Sequence, residues 1–438
     1  MNLTIVPGKL CGTVTPPPSK SQAHRLLLAA ALAEGESTLS NMALSQDIEA
    51  TLRCITALGA QWRETEAGVL TICGTGGRKA AGEELPRLDC GESGSTLRFL
   101  IPVALALGGG GVFTGQGRLL DRPQGPYEHL LREKGIAWER GQDCLTVRGA
   151  LAPGRYALPG DVSSQFFSGL LFALPLLDVD SEIVSTTKLE SAGYIHMTRQ
   201  AQKQFGVESR WEGNTFHVPG RQMYRPCDCA AETDWSQAAF WYAAEGIGNA
   251  VTVAGMNQNA IQGDRVILDL GRMIRNEPLA GGVSAPILGE RQAEGERRLP
   301  TGAAGHGRYA VGIDVSQTPD LVPPLAVWGA LTPGCDLYIK NAGRLRMKES
   351  DRLSTVTQAL SALGARVTEE ADQLLIEGQE SLPGGAAVPS YNDHRIAMMV
   401  AVAATRCRRE VTLLGAECVK KSYPNFWEDY QKLGGTIR

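Results

Sequence analysis

The sequence predicts an α/β protein of two domains, and three observations support this expectation. The chain has 438 residues, more than one ordinary hydrophobic core holds. Two phrases recur along it: a helix end followed by a glycine and a strand, and a polar cluster followed by an apolar helix. Because alternating helices and strands are typical of α/β folds, these phrases give the fold class.

Composition and charge exclude several functional classes. Hydrophobic residues make up 43% of the chain and charged residues 21%, which is typical of a globular protein. The net charge is −4 and no Lys/Arg-rich run is interleaved with aromatic residues, so we expect no nucleic-acid partner. No stretch of apolar residues is long enough to span a membrane and the N-terminal region lacks signal-peptide features, which predicts a cytoplasmic protein without a membrane partner.

The ten cysteines lack the paired spacing of a metal site or a disulfide framework. Cys54, Cys90, Cys335 and Cys407 lie inside apolar periods, where a free thiol packs as a small hydrophobic side chain. The single "CDC" stretch has no second pair and no nearby histidine, so we expect no zinc site.

The first recurring phrase is a helix end, a glycine and a strand, as in "ALGARVTEEADQLLIEG". The glycines fit the position just after a helix, where a left-handed residue ends it. They are Gly59, Gly135, Gly206, Gly364 and Gly434. The spacing leaves room for a sixth, degenerate copy, where the Gly-, Glu- and Arg-rich stretch Pro286 to Arg308 is expected to be a mobile insertion.

The second phrase begins six helices with polar residues and continues as nearly uninterrupted hydrophobic sequence. The starts read "SKSQAHR", "GESGSTLRF", "GDVSSQFF", "TDWSQAAF", "SQTPDLV" and "YNDHRIAM". Helices that are hydrophobic all round are buried, so we expect only their N-termini to meet solvent.

Cations stand at several of these helix starts, where the helix dipole disfavours positive charge. N-capping explains Ser, Asp and Asn, and for "TDWSQ" it is as good an interpretation as a site. Capping does not explain the cations Lys20, Arg25, Arg98, His394 and Arg395. Because free helix N–H groups together with Lys or Arg bind phosphate and carboxylate, the pattern predicts anion sites.

Further charges support this interpretation to different degrees. In "GRLRMKESDR", Lys348 and Arg352 are predicted to share a helix face, with Glu349 beside them. The alternative there is a solvated face on which Ser350 caps the helix, and a solvated position also stays open for Arg118 and Arg122. Lys420 with Lys421 is uninformative alone. No phosphate-binding P-loop and no nucleophile elbow occur, which leaves an enzyme without a metal that binds at least two small anions.

The chain carries an ordered set of motifs: "PPSKSQAHR", "LDCGESGSTLRF", "GRLLDRP", "GDVSSQF", "QTPD", "RLRMKESDR", "NDHRIAM" and "KKSYPNFW". From about residue 7 to residue 430 this set resembles the 5-enolpyruvylshikimate-3-phosphate (EPSP) synthase family. The resemblance implies two similar domains, each of three βαβαββ repeats arranged as an inside-out α/β barrel. The implied domains are residues 20–232, and residues 1–19 with 233–438, with the active site in the cleft between them.

The resemblance also implies the reaction. The enolpyruvyl group of phosphoenolpyruvate is added to the 5-hydroxyl of shikimate 3-phosphate, and phosphate is eliminated from a tetrahedral intermediate. No cofactor is implied, and we expect a monomer. Because Gly94 is present, glyphosate is expected to compete with phosphoenolpyruvate.

The family's site residues transfer onto matching positions. Asp320, Glu349 and Lys20 are the implied catalytic residues, Asp320 taking the hydroxyl proton and Glu349 shuttling the methylene proton. The implied shikimate 3-phosphate residues are Lys20, Ser21, Arg25, Ser163, Ser164, Gln165, Ser191, Tyr194, Asp320 and Lys348. Those implied for phosphoenolpyruvate are Lys20, Gly94, Arg122, Gln165, Arg352, Arg395 and Lys421.

The chain departs from the family's pattern in three places: Glu92 stands where Asn is common, Trp235 replaces a small residue, and the 286–308 stretch is inserted. Glu92 would add a carboxylate beside the phosphoenolpyruvate pocket.

Two alternative functions share parts of this pattern. The sister enzyme that acts on UDP-N-acetylglucosamine carries a reactive cysteine that this chain lacks between Gly108 and Pro126. A non-catalytic anion-binding or RNA-end-processing relative would not need Asp320 and Glu349.

Overall fold

The chain folds into two compact units. In the computed structural model the described residues are 1–78, 84–278 and 308–438. One unit comprises residues 1–16, 235–258 and 263–438, and the other comprises residues 17–234 and 259–262. The predicted insertion lies outside the described residues, except for Arg308, which pairs with Asp336.

The described residues form twelve α-helices. They are α1 (Lys20–Leu32), α2 (Gln46–Ala57), α3 (Gly94–Gly108), α4 (Gly125–Glu133), α5 (Ser164–Ala173), α6 (Ala192–Gln204), α7 (Trp235–Gly246), α8 (Ile267–Ile274), α9 (Val322–Ala330), α10 (Arg352–Ala362), α11 (His394–Ala404) and α12 (Phe426–Lys432). Short 3-10 helices occupy Leu119–Asp121, Leu174–Leu176, Gly263–Val266, Pro319–Leu321, Gly343–Met347 and Ala416–Lys421.

The same residues form twenty-four strands. They are β1 (Asn2–Val6), β2 (Cys11–Val14), β3 (Glu34–Ser40), β4 (Gln61–Glu66), β5 (Val69–Thr75), β6 (Arg87–Asp89), β7 (Gly110–Thr114), β8 (Ala137–Arg140), β9 (Cys144–Arg148), β10 (Arg155–Leu158), β11 (Ser181–Ser185), β12 (Arg210–Glu212), β13 (Thr215–Val218), β14 (Cys229–Ala230), β15 (Ala250–Val253), β16 (Tyr309–Asp314), β17 (Cys335–Lys340), β18 (Arg366–Glu369), β19 (Leu374–Glu377), β20 (Leu382–Gly384), β21 (Ala387–Pro389), β22 (Cys407–Arg409), β23 (Val411–Leu414) and β24 (Thr436–Ile437).

One sheet pattern recurs in both units. The unit built on residues 17–234 has three four-stranded sheets, in the orders β14-β3-β5-β4, β6-β7-β9-β8 and β10-β11-β13-β12. Each joins one parallel pair to two antiparallel pairings. The other unit repeats the pattern in β16-β17-β19-β18 and β21-β23-β1-β24, and its described residues add the two-stranded parallel sheets β15-β2 and β20-β22. The repeats predicted from sequence are therefore structural repeats.

The glycine phrase marks helix ends, as predicted. All five glycines follow a helix C-cap and have φ between 75° and 103°. The sixth copy uses a different residue: Asn276, at φ 57°, follows the Arg275 C-cap of α8. Asparagine is the residue that most often replaces glycine in this conformation, so a search for glycine misses this copy.

The six apolar helices are buried, also as predicted. They are α1, α3, α5, α7, α9 and α11, and every residue of α9 and α11 is buried. Each fully buried Leu in such a helix contributes about 1.5–3 kcal/mol, so these helices form the cores of the two units. Their uniform burial leaves only the first turn of each for chemistry.

The cysteine prediction is confirmed in part. Cys54, Cys90, Cys335 and Cys407 are buried free thiols, but Cys11 and Cys73 are exposed. None of the described helices combines the length and the apolarity needed to cross a membrane.

Candidate active site

Lys20 begins α1 and is bonded through both its backbone N–H and its side-chain ammonium. Its backbone N–H donates to Oδ2 of Asp234 at 3.1 Å, and the preceding Ser19 caps the helix. Its ammonium lies 2.7 Å from Oδ2 of Asp47, in the first turn of α2. Both side chains of this ion pair are largely buried, so the predicted catalytic lysine has a fixed direction.

Arg25 lies one turn further along α1 and is only 2% exposed. Its guanidinium donates to Oγ1 of Thr198 at 2.8 Å and to the carbonyls of Tyr194 and Ser21 at 2.9 and 2.6 Å. It also faces the ring of Phe99. These partners are neutral, and burial lowers the pKa of Arg25 to about 10. A buried cation without a carboxylate partner favours an anionic ligand.

The first turns of α3 and α5 are joined by Gln165. Its amide oxygen accepts from Nη1 of Arg98 at 2.8 Å, and its amide nitrogen donates to Oγ of Ser95 at 2.9 Å. Ser163 caps α5 by accepting from the backbone N–H of Gln165, and Ser164 is the first residue of that helix. The predicted serine pair therefore stands at the positive end of a helix dipole, which favours an anion.

Gly94, the first residue of α3, lies directly against Arg122. A Cβ placed at Gly94 would be 2.7 Å from Nη1 of Arg122, closer than van der Waals contact allows. Arg122 itself is 8% exposed. Because Gly94 has no side chain, the Arg122 guanidinium can lie against the start of α3.

Ser191 and Tyr194 begin α6, beside Arg25. Ser191 has the left-handed conformation at φ 56°, and its carbonyl accepts from the backbone N–H of Tyr194 at 3.1 Å. The predicted residues on α1 and α6 thus meet at Arg25.

The second unit holds another group of the predicted residues, gathered on one carboxylate. Asp320 accepts from Nζ of Lys348 at 3.3 Å, Nη1 of Arg352 at 3.0 Å and Nη2 of Arg395 at 3.1 Å. Glu349 also contacts Arg352, at 2.7 Å from Nη2. Two carboxylates and three cations from three separate parts of the chain form one cluster.

Arg352 links this cluster to Asp393, the N-cap of α11. Its Nε lies 3.0 Å from Oδ2 of Asp393, which is fully buried. Burial opposes the charged form of Arg352, but the carboxylates of Asp393, Glu349 and Asp320 keep its pKa above the usual value. The pKa of Lys348 is lowered, chiefly by burial, although Asp320 opposes this change.

Lys421 lies close to this cluster in the fold, because its partner adjoins Asp393. Its ammonium donates to the carbonyl of Asn392 at 2.7 Å, and the residue is 4% exposed. Of the lysine pair that was uninformative in the sequence, Lys421 is buried and Lys420 is exposed. Buried ammonium groups are uncommon in proteins.

Two predictions about this region are wrong. Lys348 and Arg352 do not share a helix face, because α10 begins at Arg352 and Lys348 has an extended backbone conformation. Ser350 is not the cap either: Asp351 accepts from the N–H of Ser354, whereas Ser350 donates to Asp393. The carboxylate of Asp320, from another part of the chain, brings the two cations together instead.

The departures from the family's pattern have clear positions. The Glu92 carboxylate packs against Gly117, where an added Cβ would lie 2.9 Å from its Oε2. Trp235 is fully buried, stacks on Tyr242 and donates to the carbonyl of Asn257 at 3.3 Å.

Three residues that contact the predicted site residues were not predicted from the sequence. They are Asp47, Asn392 and Asp393, which contact Lys20, Lys421 and Arg352 respectively. Asp393 has the sequence signal of an N-cap, and Asp47 that of a helix start. Neither signal points to a cation, because Lys20 and Arg352 reach these residues only through the fold.

Comparison with known proteins decides the family. The profile of the family described as EPSP synthase (3-phosphoshikimate 1-carboxyvinyltransferase) matches residues 6–430. The chain belongs to the EPSP synthase family. This membership confirms the resemblance drawn from the motifs.

Individual family members agree over the whole length. The chain is 40% identical to the 3-phosphoshikimate 1-carboxyvinyltransferase of Clostridium beijerinckii over 445 aligned positions, covering 100% of this chain and 98% of that protein. It is 42% identical to the Clostridium kluyveri protein of the same name, covering 99% and 98%. The solved EPSP synthase of Acinetobacter baumannii superposes with a TM-score of 0.77 at 25% identity, covering 100% of this chain and 99% of that one. The predicted fold class is therefore confirmed.

Proposed function

We propose that the two groups of side chains described above carry out the reaction of the EPSP synthase family on this chain. The chain is a 3-phosphoshikimate 1-carboxyvinyltransferase of the shikimate pathway, which moves the enolpyruvyl group of phosphoenolpyruvate to shikimate 3-phosphate and releases phosphate. The cluster of three cations around Asp320 is the observation that carries the residue assignment. Both substrates are polyanions, and fixed cations in a partly buried site bind them more strongly than cations in water do.

For shikimate 3-phosphate, the proposed binding residues combine hydroxyl groups with buried cations. Arg25 has neutral partners and is suited to a carboxylate or a phosphate, while Ser163 and Ser164 offer hydroxyl and backbone donors at the start of α5. The proposed set is Lys20, Ser21, Arg25, Ser163, Ser164, Gln165, Ser191, Tyr194, Asp320 and Lys348.

For phosphoenolpyruvate, the proposed set is mostly cationic. Gly94 gives Arg122 its position in one unit, and Asp320 and Asp393 orient Arg352 in the other. The set is Lys20, Gly94, Arg122, Gln165, Arg352, Arg395 and Lys421. The same residues are proposed to bind glyphosate, which would compete with phosphoenolpyruvate.

The proposed mechanism assigns one proton to each carboxylate. The oxygen of the 5-hydroxyl forms a bond to C2 of phosphoenolpyruvate while Asp320 takes the proton of that hydroxyl. At the same time Glu349 delivers a proton to the methylene carbon C3. In the second step Glu349 takes a proton back from C3 as the C2–O bond to phosphate breaks, which restores the double bond, and Asp320 gives the hydroxyl proton to the departing phosphate. Lys20, Arg352 and Lys348 offset the negative charge that develops on the way.

Phosphate release from phosphoenolpyruvate tests this assignment. Release should require shikimate 3-phosphate, should not occur with UDP-N-acetylglucosamine, and should be lost in Glu349→Gln while the variant stays folded. Full activity in both Glu349→Gln and Asp320→Asn would overturn the assignment of the carboxylates. Competition of glyphosate against phosphoenolpyruvate tests the second site, and failure to compete would refute that part.

We also propose that the protein is a cytoplasmic monomer, as expected from its sequence. Sedimentation velocity of the purified chain at several concentrations should give one species of 46.8 kDa. A concentration-dependent larger species would contradict the proposal.

A further inference from the structure

The turn Ser390–Asp393, just before α11, has an unusual backbone. Tyr391 has φ 54° and Asn392 has φ 55°, so two consecutive non-glycine residues are left-handed. This conformation is uncommon for residues with a side chain and is strained for one as bulky as tyrosine. Such strain persists only where the surrounding structure imposes it, and it is concentrated at functional sites.

The turn contacts three cations of the proposed phosphoenolpyruvate set. The carbonyl of Asn392 accepts from Lys421 at 2.7 Å. The carboxylate of Asp393 accepts from Nε of Arg352 at 3.0 Å and from the backbone N–H of Arg395 at 2.9 Å. Asn392 and Asp393 therefore fix side chains from two other parts of the chain, Lys421 and Arg352, as well as the first turn of α11.

Hydrogen bonds to Ser390 hold the turn in place. Its backbone N–H donates to the carbonyl of Leu414 at 2.8 Å, and its hydroxyl donates to the carbonyl of Gly415 at 2.9 Å. The N–H of Asn392 donates to Oγ of Ser390 at 3.3 Å, and the N–H of Asp393 donates to the carbonyl of Ser390 at 3.0 Å. The strained conformation is thus supported by the neighbouring strand β23 and the residue after it.

Capping of α11 does not require this conformation. Asp393 itself is extended, with φ −116°, as an N-cap residue should be. Ser19 and Ser163 cap α1 and α5 with no left-handed residue in the two positions before either of them, and Ser93 caps α3 with a single one, Gly91. The turn before α11 differs in having two consecutive left-handed residues that are not glycine, and its second carbonyl accepts from Lys421.

We propose that the left-handed pair Tyr391–Asn392 is a positioning element for phosphoenolpyruvate, which directs the Asn392 carbonyl at Lys421 while Asp393 holds Arg352. The inference rests on the proposed function, because it takes Lys421 and Arg352 as phosphoenolpyruvate ligands. The backbone conformation at residue 392 sets the position of the Lys421 ammonium, whatever the side chain of residue 392.

Substitutions at Asn392 that differ in backbone preference test this proposal. Asn392→Ala and Asn392→Gly remove the same side chain, but only glycine adopts positive φ without cost. Asn392→Ala should raise the KM for phosphoenolpyruvate about fivefold, with a smaller change in the KM for shikimate 3-phosphate. Asn392→Gly should stay within about twofold of the original KM. Equal KM values for phosphoenolpyruvate in the two variants would overturn the proposal.

Asn276 provides a matched control. It is also an exposed asparagine in the left-handed region, at φ 57°, and lies at the end of α8 outside the proposed site. Asn276→Ala should lower stability about as much as Asn392→Ala but leave both KM values unchanged. A rise in the KM for phosphoenolpyruvate in Asn276→Ala would mean that general destabilisation explains the effect, and would contradict the positioning role.

Lys421→Met separates failure of this inference from failure of the proposed function. If Lys421→Met leaves the KM for phosphoenolpyruvate unchanged, the proposed assignment of Lys421 is wrong and this inference is wrong with it. If Lys421→Met raises that KM and Asn392→Ala does not, only the positioning role fails. When both hold, adding Asn392→Ala to Lys421→Met should raise the KM by less than Asn392→Ala does alone.

Discussion

Asp393 Oδ2 lies 3.0 Å from Nε of Arg352, in an ion pair whose side chains are 0% and 1% exposed. The same carboxylate accepts from Ser350 and caps α11. One residue therefore joins the start of a core helix to an arginine of the proposed active site.

Asp393→Ala should be among the most damaging substitutions in the chain. It leaves the guanidinium of Arg352 buried without this partner, which costs about 3–5 kcal/mol of unfolding free energy. Urea unfolding measures the loss. Asp351→Ala is the control, since Asp351 also caps a helix but is more exposed, and it should cost about 1 kcal/mol. Equal losses in the two variants would show that Asp393 acts only as a cap.

Gly94→Ala should weaken phosphoenolpyruvate binding. The added methyl would lie 2.7 Å from Nη1 of Arg122, so the guanidinium must move. We expect the KM for phosphoenolpyruvate to rise about tenfold, which corresponds to about 1.4 kcal/mol. Gly125→Ala is the matched control, because Gly125 also begins a helix and an added Cβ there meets no atom within 4 Å. An unchanged KM in Gly94→Ala would argue against Arg122 as a ligand.

Asp47→Asn should reduce activity although Asp47 is not one of the predicted site residues. The substitution removes the charge that fixes Lys20, so kcat/KM should fall about tenfold for both substrates. Asp47→Glu should restore part of the loss. Glu49→Gln removes an exposed charge from the same helix turn and should have no effect. A similar loss in Glu49→Gln would assign the effect to the helix rather than to Lys20.

The affinity for shikimate 3-phosphate should depend on the charge of Lys348. Burial lowers its pKa from the ordinary value of 10.5, so this lysine loses its proton at a lower pH than an exposed lysine does. The KM for shikimate 3-phosphate should therefore rise as pH increases toward that value. Lys348→Arg stays charged and should lose most of this rise. Identical pH curves for the two proteins would exclude Lys348 as the cause.

His24 should make the protein less stable in acid. Burial lowers the pKa of His24 well below 6.5, and its Nδ1 lies 2.7 Å from Oγ1 of Thr51. Below pH 6.5 the unfolded chain binds a proton that the folded chain does not, so stability is retained above that pH and falls below it, by up to about 1.4 kcal/mol per pH unit. Urea unfolding at several pH values measures the slope, which should be smaller in His24→Gln. The exposed His129, changed to Gln, is the control.

The sequence predicted the parts of the molecule that follow local rules. The six apolar helices and the five left-handed glycines were predictable because burial and helix termination leave their pattern within a few residues. Asn276 was not predicted, because glycine is the usual residue in this left-handed position. The prediction for Lys348 and Arg352 failed because spacing alone does not show that a 3-10 helix ends before α10 begins.

The partners of the site residues depend on contacts between distant segments. Asp47 reaches Lys20, and Asp393 reaches Arg352, only once the helices have packed. The motifs therefore indicate which residues are proposed to act, while the structure was needed to find the residues that contact them.

The sheet β21-β23-β1-β24 is built from both ends of the chain, because Asn2 pairs with Leu414 and Ile5 pairs with Ile437. During synthesis the strand β1 leaves the ribosome long before β23 and β24 do, and it cannot pair with them until they have been made. Nearly all of the unit built on residues 17–234 is translated as one continuous stretch and can complete its three sheets in the meantime. The order of translation therefore delays completion of the unit that contains Asp320 and Glu349, the two proposed catalytic carboxylates, until after the unit built on residues 17–234 can fold.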